Sequence, residues 1–503
     1  MSNLVLILVI AVALVLALAA LPALAAQTAS AAPPAPAPPA PGAAMPDTPL
    51  GRRAAGFLEA FNSGDPVRLR GFITDQYSPT ALTRMPVDAR FQILSRFSGN
   101  VGALSLLAVD RVDDAELAVR VRAAGTGERF RMTFEANAAE EHKLVSIQLE
   151  IMEDDAEPEE PVATGPLSAD AARSEIDSYL ADMAKKDEFS GAVLVLRGGA
   201  PFVERAFGVA DKDKKLANAI DTRFNLGSIN KVFTRLAIAQ LAESGKVSLS
   251  DPLIRYLPDY PKPEIAKKVT IGQLAEHTSG LGDIFTDRFE SRRLKLNSLQ
   301  DFVPLFVEDP LEFEPGTSSA YSNAGYILLG LVIEKVSGLD YYTYVKQNIF
   351  APAGMKDSDS FPLAEATPNR AVGYTRGEGV RDSNVARRPN RNILPARGSS
   401  AGGGYSTVWD LARFAQALSA NKLAGAAWTS WATGGDEPKP GTPAPTGPID
   451  LGIAGGTPGV NSILELDPEK GIVVVLSNYD PPGAEKIGRR IRTILGRIVA
   501  PAP

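Results

Sequence analysis

Ser228 and Lys231 stand three residues apart in Gly227-Ser228-Ile229-Asn230-Lys231, and Tyr321-Ser322-Asn323 begins 93 positions after Ser228 (321 minus 228). These residue types can carry out acyl transfer without a histidine. A serine hydroxyl is a weak nucleophile at neutral pH until a neighbouring base takes its proton. On a helix, residues three apart share a face with about 5–6 Å between β-carbons, so the Lys231 amine can reach the Ser228 hydroxyl. A tyrosine brought in from elsewhere in the fold adds a second proton-transfer group. The segment after Ser228 carries Val232, Phe233, Leu236, Ile238 and Leu241, which marks a largely buried helix. Burial disfavours the ammonium form and turns a lysine into a usable base. At the first turn of that helix, free backbone N–H groups and the positive dipole end suit a developing anion. A Ser-x-x-Lys pair alone arises about once or twice by chance in a chain this long, and its bland reading is a capping serine beside a solvated lysine. The apolar surroundings of Lys231 decide for the catalytic reading.

Composition removes the competing chemistries. The chain has 503 residues, no cysteine and two histidines, His142 and His277. Disulfides, cysteine nucleophiles and thiolate metal sites are thereby ruled out, as is a zinc hydrolase with two or three imidazole ligands. No metal and no cofactor is expected. A net charge of -7 gives no electrostatic reason for a nucleic-acid partner. The expected partner is a small-molecule or peptide substrate. With 45% hydrophobic and 22% charged residues, the chain reads as globular protein, long enough for two or more domains.

The elements that must position these groups can be placed along the chain. Leu4 to Ala26 is an uncharged apolar run ending in Ala23-Leu24-Ala25. It reads as a signal peptide over 1–26, so the chain is expected to be exported, periplasmic or secreted. An uncleaved membrane anchor is the alternative reading. An Ala/Pro-rich spacer occupies 27–48, and an acidic, proline-bearing linker occupies 153–166. Between them, 49–152 is expected to open with two helices, around Ala55–Phe61 and from Pro66 to about Thr74. Four alternating strands follow, near Leu104–Val109, Glu116–Val121, Arg129–Phe134 and Leu144–Ile151. The run Phe57-Leu58-Glu59-Ala60-Phe61-Asn62-Ser63-Gly64-Asp65 resembles the SnoaL-like, nuclear-transport-factor-like cone fold. That resemblance implies an α+β accessory or spacing domain. The second domain, 167–503, starts with a helix after Ser168 and a hairpin, Gly191–Leu196 then Phe202–Phe207. It ends with strands at Ile463–Leu466 and Ile472–Leu476 and a helix over about Pro482–Val499. Strands at both ends with helical sequence between them predict an α+β domain whose sheet is built from its two termini around an inserted helical lobe.

Further motifs surround the catalytic trio: Phe224-Asn225-Leu226-Gly227, Gly245-Lys246-Val247-Ser248-Leu249-Ser250-Asp251-Pro252, Leu274-Ala275-Glu276-His277-Thr278-Ser279-Gly280-Leu281, Glu314-Pro315-Gly316-Thr317 and Pro352-Ala353-Gly354-Met355. Over about 210–480 the chain resembles the serine β-lactamase and penicillin-binding protein family, in particular its class C, esterase and D-alanyl carboxypeptidase branch. The resemblance implies a β-lactamase/transpeptidase-like fold in which Ser228 becomes acylated. Lys231 and Tyr321 would share the proton transfers, and which of them is the base stays open at this point. It further implies that Asn323 donates to the substrate amide. The strand bearing Gly455 and Gly456 would pass close to substrate, and the N–H groups of Ser228 and Gly456 would hold the oxyanion.

One position departs from the family pattern. Where the third motif carries Lys or His, then a small residue, then Gly, this chain has Ile453-Ala454-Gly455-Gly456. A cationic partner for a substrate carboxylate is missing. Weak β-lactam hydrolysis and a better fit to neutral esters or amides are therefore expected. A non-catalytic penicillin-recognising sensor on the same scaffold is the alternative. Two decoys are set aside. His277 is expected to make structural hydrogen bonds. Gly398-Ser399-Ser400-Ala401-Gly402 mimics a nucleophile elbow but lacks a later histidine, so it is expected to be a loop beside the cleft.

Overall fold

The computed structural model of this chain describes residues 44–499 apart from 85, 113–115, 125–128, 138–141, 153–164, 378–384, 440, 442, 444 and 446. The apolar segment 1–26, expected to be a signal peptide, most of the 27–48 spacer and most of the 153–166 linker lie outside the described residues. The described chain divides into two compact units, 44–152 and 165–499.

In the smaller unit, α1 (Pro49–Asn62) and α2 (Pro66–Gln76) are capped by the side chains of Thr48 and Asp65, each followed by proline in the first turn. Two further helices, α3 (Pro79–Arg84) and α4 (Val87–Val101), precede an antiparallel sheet in simple order: β1 (Leu104–Val112), β2 (Glu116–Ala123), β3 (Arg129–Asn137) and β4 (Lys143–Met152). The four strands fall where the alternation puts them. The second pair of helices is an addition: Pro86 interrupts the 79–101 stretch, in which Ala81, Leu94 and Val101 are deeply buried among the described residues. Inward residues Leu117, Val119 and Val121 of β2 and Phe130, Met132 and Phe134 of β3 pack with Phe57 and Phe61 of α1.

The larger unit opens with α5 (Ala169–Lys185, capped by Ser168) and the hairpin β5 (Gly191–Arg197) and β6 (Ala200–Phe207). Helices α6 (Asn230–Glu243), α7 (Asn323–Ser337) and α8 (Val408–Ser419) belong to the central part of the chain. Strands β7 (Leu451–Thr457), β8 (Val460–Asp467) and β9 (Gly471–Ser477) and helix α9 (Gly483–Leu495) close it. The five-stranded antiparallel sheet runs β7-β8-β9-β5-β6, so both ends of the unit build it, as expected. Its inner strands β5 and β9 read as unbroken apolar runs because both faces are covered. Val193, Val195, Val473 and Val475 face α5 and α9, whereas Ala192, Leu194, Val474 and Leu476 face the helical lobe. Both α6 and α7 are buried on nearly all sides, the mark of interior helices.

All three tryptophans (Trp409, Trp428 and Trp431) lie in this unit, so their fluorescence reports its unfolding. Ile491→Ala empties a fully buried site between α9 and the sheet. It should destabilise the unit by about 2–5 kcal/mol, measured as a lower urea midpoint in tryptophan emission.

Candidate active site

Ser228, the expected nucleophile, sits on a sharp bend. Gly227 adopts φ +55, the Ser228 N–H donates across it to Leu226 O at 2.8 Å, and the Gly227 N–H donates to Asn225 Oδ1 at 2.9 Å. This is a three-residue γ-turn of the strained, positive-φ kind. It leads through one 3₁₀ turn (Gly227–Ile229) into α6, which delivers Lys231 one turn beyond the serine. Tyr321 arrives from the loop before α7. Its neighbour Ser322 caps that helix by accepting from Gly325 N at 3.0 Å and donates to Gly282 O at 2.9 Å.

The three predicted groups converge. Ser228 Oγ lies 2.9 Å from Tyr321 Oη and 3.3 Å from Lys231 Nζ. Lys231 Nζ also donates to Asn323 Oδ1 at 2.7 Å and to Ala401 O. The serine and the tyrosine are half-buried, while Lys231 and Asn323 are buried. A neutral amine has two hydrogens and one lone pair. With both hydrogens given to Asn323 and Ala401, the lone pair is left for the Ser228 hydroxyl.

Electrostatics support that form. Burial pulls the Lys231 pKa down to about 7, against a smaller upward push from Asp283. Burial also pushes Tyr321 up to about 12, eased by the Ser228 hydrogen bond and reinforced by Asp283. At neutral pH the phenol keeps its proton while the amine is half free. Burial thus favours Lys231 over Tyr321 as proton acceptor and keeps Tyr321 a donor.

A family model described as Beta-lactamase matches residues 176–496. The chain belongs to the beta-lactamase family. It is 34% identical over 210 residues to penicillin-binding protein 4* of Bacillus subtilis (strain 168), 41% of this chain and 45% of that protein. It is 31% identical over 257 residues to the putative penicillin-binding protein PbpX of the same organism, 49% of this chain and 58% of that protein. The matches therefore span only about half the length of these relatives. A penicillin-binding protein structure from Bacillus halodurans aligns at 32% identity and TM-score 0.55, covering 63% of this chain and 99% of that one. A D-amino acid amidase from Ochrobactrum anthropi SV3 aligns at 25% identity and TM-score 0.52, covering 65% and 98%. A class C beta-lactamase mutant at 20% identity and TM-score 0.53 shares the fold, covering 65% of this chain and 97% of that one.

Within this beta-lactamase fold, β7 runs against the nucleophile turn. Thr457 pairs with Val460 across the two-residue turn Pro458-Gly459, so Gly456 opposite Asn461 falls at a non-hydrogen-bonded pair. Its N–H then points out of the ladder at the free edge of the sheet. A β-carbon on Gly227 would stand 2.6 Å from that nitrogen, which places Gly456 N beside the turn. Gly455 is buried beneath it, where a β-carbon would meet Leu226 O at 2.0 Å, so its contribution is close approach and not an exposed contact. Ile453 is half-buried and packs on the core of the lobe.

Both decoys behave as expected. His277, held at φ +59, accepts the Ser322 N–H on Nδ1 at 3.1 Å and stacks on Tyr321 with ring centroids 4.8 Å apart. Burial, with Lys231 and Arg235 nearby, drives its pKa down to about 3, so it stays neutral. The 398–402 loop borders the site and supplies the Ala401 carbonyl. Two contributors escaped the sequence reading. One is that carbonyl, which has no side-chain signature. The other is Asp283, whose Oδ1 accepts from Asn323 Nδ2 at 2.8 Å. Its only trace in the sequence is a position just after the His277–Leu281 motif.

Gly227→Ala should cut labelling of Ser228 by a fluorophosphonate by about 100-fold or more, because the new methyl strikes the Gly455–Gly456 backbone and moves the serine. The acylation rate should rise about tenfold per pH unit below pH 7 and level off above it, as Lys231 sheds its proton. Lys231→Arg, permanently charged, should remove that dependence and about 10²–10⁴ of the rate, read by stopped-flow labelling across pH 5–9.

Proposed function

We propose that this chain is a serine hydrolase acting through an acyl-enzyme on ester or amide carbonyls. The convergence of Ser228 Oγ with a buried, readily neutralised Lys231 and the Tyr321 phenol carries this reading. Ser228 Oγ attacks the carbonyl carbon and its proton passes to Lys231 Nζ. The resulting oxyanion takes the N–H groups of Gly456 and Ser228, and such a donor is typically worth about 10²–10³ in rate. As the carbonyl–leaving-group bond breaks, Tyr321 Oη gives its proton to the departing oxygen or nitrogen and is resupplied by the Lys231 ammonium. Water then attacks the acyl carbon by the reverse sequence. Asn323 spends Oδ1 on Lys231 and one N–H on Asp283, which leaves its second N–H for a substrate amide oxygen.

The substrate class follows from Ile453. With an apolar, half-buried side chain where the family carries a cation, an anionic substrate finds no counter-charge on β7. Neutral esters and amides fit better, and the likeness to a D-amino acid amidase supports the amide arm. The apolar Leu4–Ala26 run supports export of the chain. The order of helices and four antiparallel strands in 49–152 supports a cone-like accessory domain there.

The purified chain should hydrolyse p-nitrophenyl butyrate with kcat/KM at least about tenfold above that for nitrocefin, and Ser228→Ala should abolish both. Faster nitrocefin cleavage would overturn the substrate assignment. Stoichiometric acylation without turnover, seen by intact-mass spectrometry, would make the chain a sensor.

A further inference from the structure

One buried hydroxyl sits where the nucleophile turn meets β7. Ser462, on β8 and fully buried, donates to Leu226 O at 2.8 Å and lies 3.1 Å from Gly455 O. It stands opposite Gly455 in the ladder, and a β-carbon on Gly455 would come within 2.8 Å of Ser462 Oγ. The space above that glycine is therefore filled by the Leu226 carbonyl, the Ser228 backbone nitrogen and the Ser462 hydroxyl. Leu226 O also receives the N–H groups of Ser228 at 2.8 Å and Ile229 at 3.3 Å. A carbonyl oxygen has two lone pairs, and three donors converge on this one.

That crowding bears on the oxyanion. In the free site the Ser228 N–H is turned toward Leu226 O, so it must leave that carbonyl when negative charge develops on the substrate. We infer that Ser462 is a positioning residue that holds the Leu226 carbonyl and so releases the Ser228 N–H to the oxyanion. After the release, Ser462 Oγ–H and Ile229 N–H still occupy both lone pairs of Leu226 O, so no buried acceptor is orphaned. Without the hydroxyl, the carbonyl would compete with the oxyanion for the Ser228 N–H. The inference rests on the acyl-enzyme reading above. Ser462 touches neither substrate nor the reacting atoms in this scheme, and its effect appears only in the transition state.

The test compares wild type, Ser462→Ala and Ser462→Thr in the full chain. The readouts are p-nitrophenyl butyrate kinetics, melting temperature, and inhibition by phenylboronic acid, which forms a tetrahedral adduct on a serine oxygen. Ser462→Ala should lower kcat by about 10- to 100-fold, leave KM within about twofold, and weaken boronate inhibition by a factor similar to the loss in kcat. Ser462→Thr, which retains the hydroxyl, should recover most of both. A Ser462→Ala kcat within twofold of wild type would overturn the inference, as would a fall in kcat with boronate affinity unchanged. If Ser462→Ala does not fold, Ser462→Cys, a weak donor of similar size, is read by the same criteria. Wild type that neither turns over ester nor takes up a fluorophosphonate sinks the acyl-enzyme reading itself, whereas an active wild type with an indifferent Ser462 variant sinks this inference alone.

Discussion

Keeping one amine uncharged inside an apolar interior is the constraint on which the catalytic unit turns. Lysine in water holds its proton to about pH 10.4, and nothing in a Ser-x-x-Lys spacing changes that. The change comes from α6 and α7, which are buried on nearly all sides and enclose Lys231 where an ammonium is poorly solvated. Burial alone would make the side chain merely unstable. Two acceptors from separate parts of the chain, Asn323 Oδ1 and Ala401 O, fix the direction of its hydrogens and hence of its lone pair. Asp283 opposes the downward shift, which holds the pKa near neutrality instead of letting it fall further. The amine can then take a proton from Ser228 and give it up again within one cycle.

The same constraint explains why Tyr321 differs in role from Lys231 although both stand within reach of the serine. Burial raises a phenol pKa and lowers an amine pKa, so one environment separates the two groups. The phenol remains a donor and the amine becomes an acceptor. A histidine would add nothing to this division. The one beside it, His277, is instead spent on stacking against the Tyr321 ring and holding the backbone of Ser322.

Much of this is legible in the sequence. The hairpin beginning at 191–196 and the strand at 472–476 are legible as apolar runs, and their places near the two ends of the larger unit predict a sheet built from both. Ser228, Lys231 and Tyr321 are legible because side-chain type and spacing carry their chemistry, and Asn323 enters through the family resemblance. What escaped is carried by backbone or by long-range register. The Ala401 carbonyl belongs to a residue with no functional group. The γ-turn at Gly227 shows in sequence only as a glycine, one of 44. Ser462 matters because it lies opposite Gly455 in a ladder whose register sequence does not print. Helix α4 follows a proline, which reads in sequence as a break and not as a helix start.

The open edge of β7 deserves the same reasoning. Unpaired edge strands invite pairing with foreign chains, and proteins commonly blunt them with charge, proline or cover. Here the Leu226–Ser228 turn covers the edge at Gly455, and the next residue, Gly456, presents its N–H beside the nucleophile. The hazard is confined to the place where it is useful. A carbonyl oxygen arriving there finds a donor that no strand has claimed, and glycine at that position removes the side chain that would keep substrate away. Under the substrate class proposed above, with Ile453 and not a cation on β7, the edge would bind through its backbone, and recognition would depend on carbonyl geometry and shape more than on substrate charge.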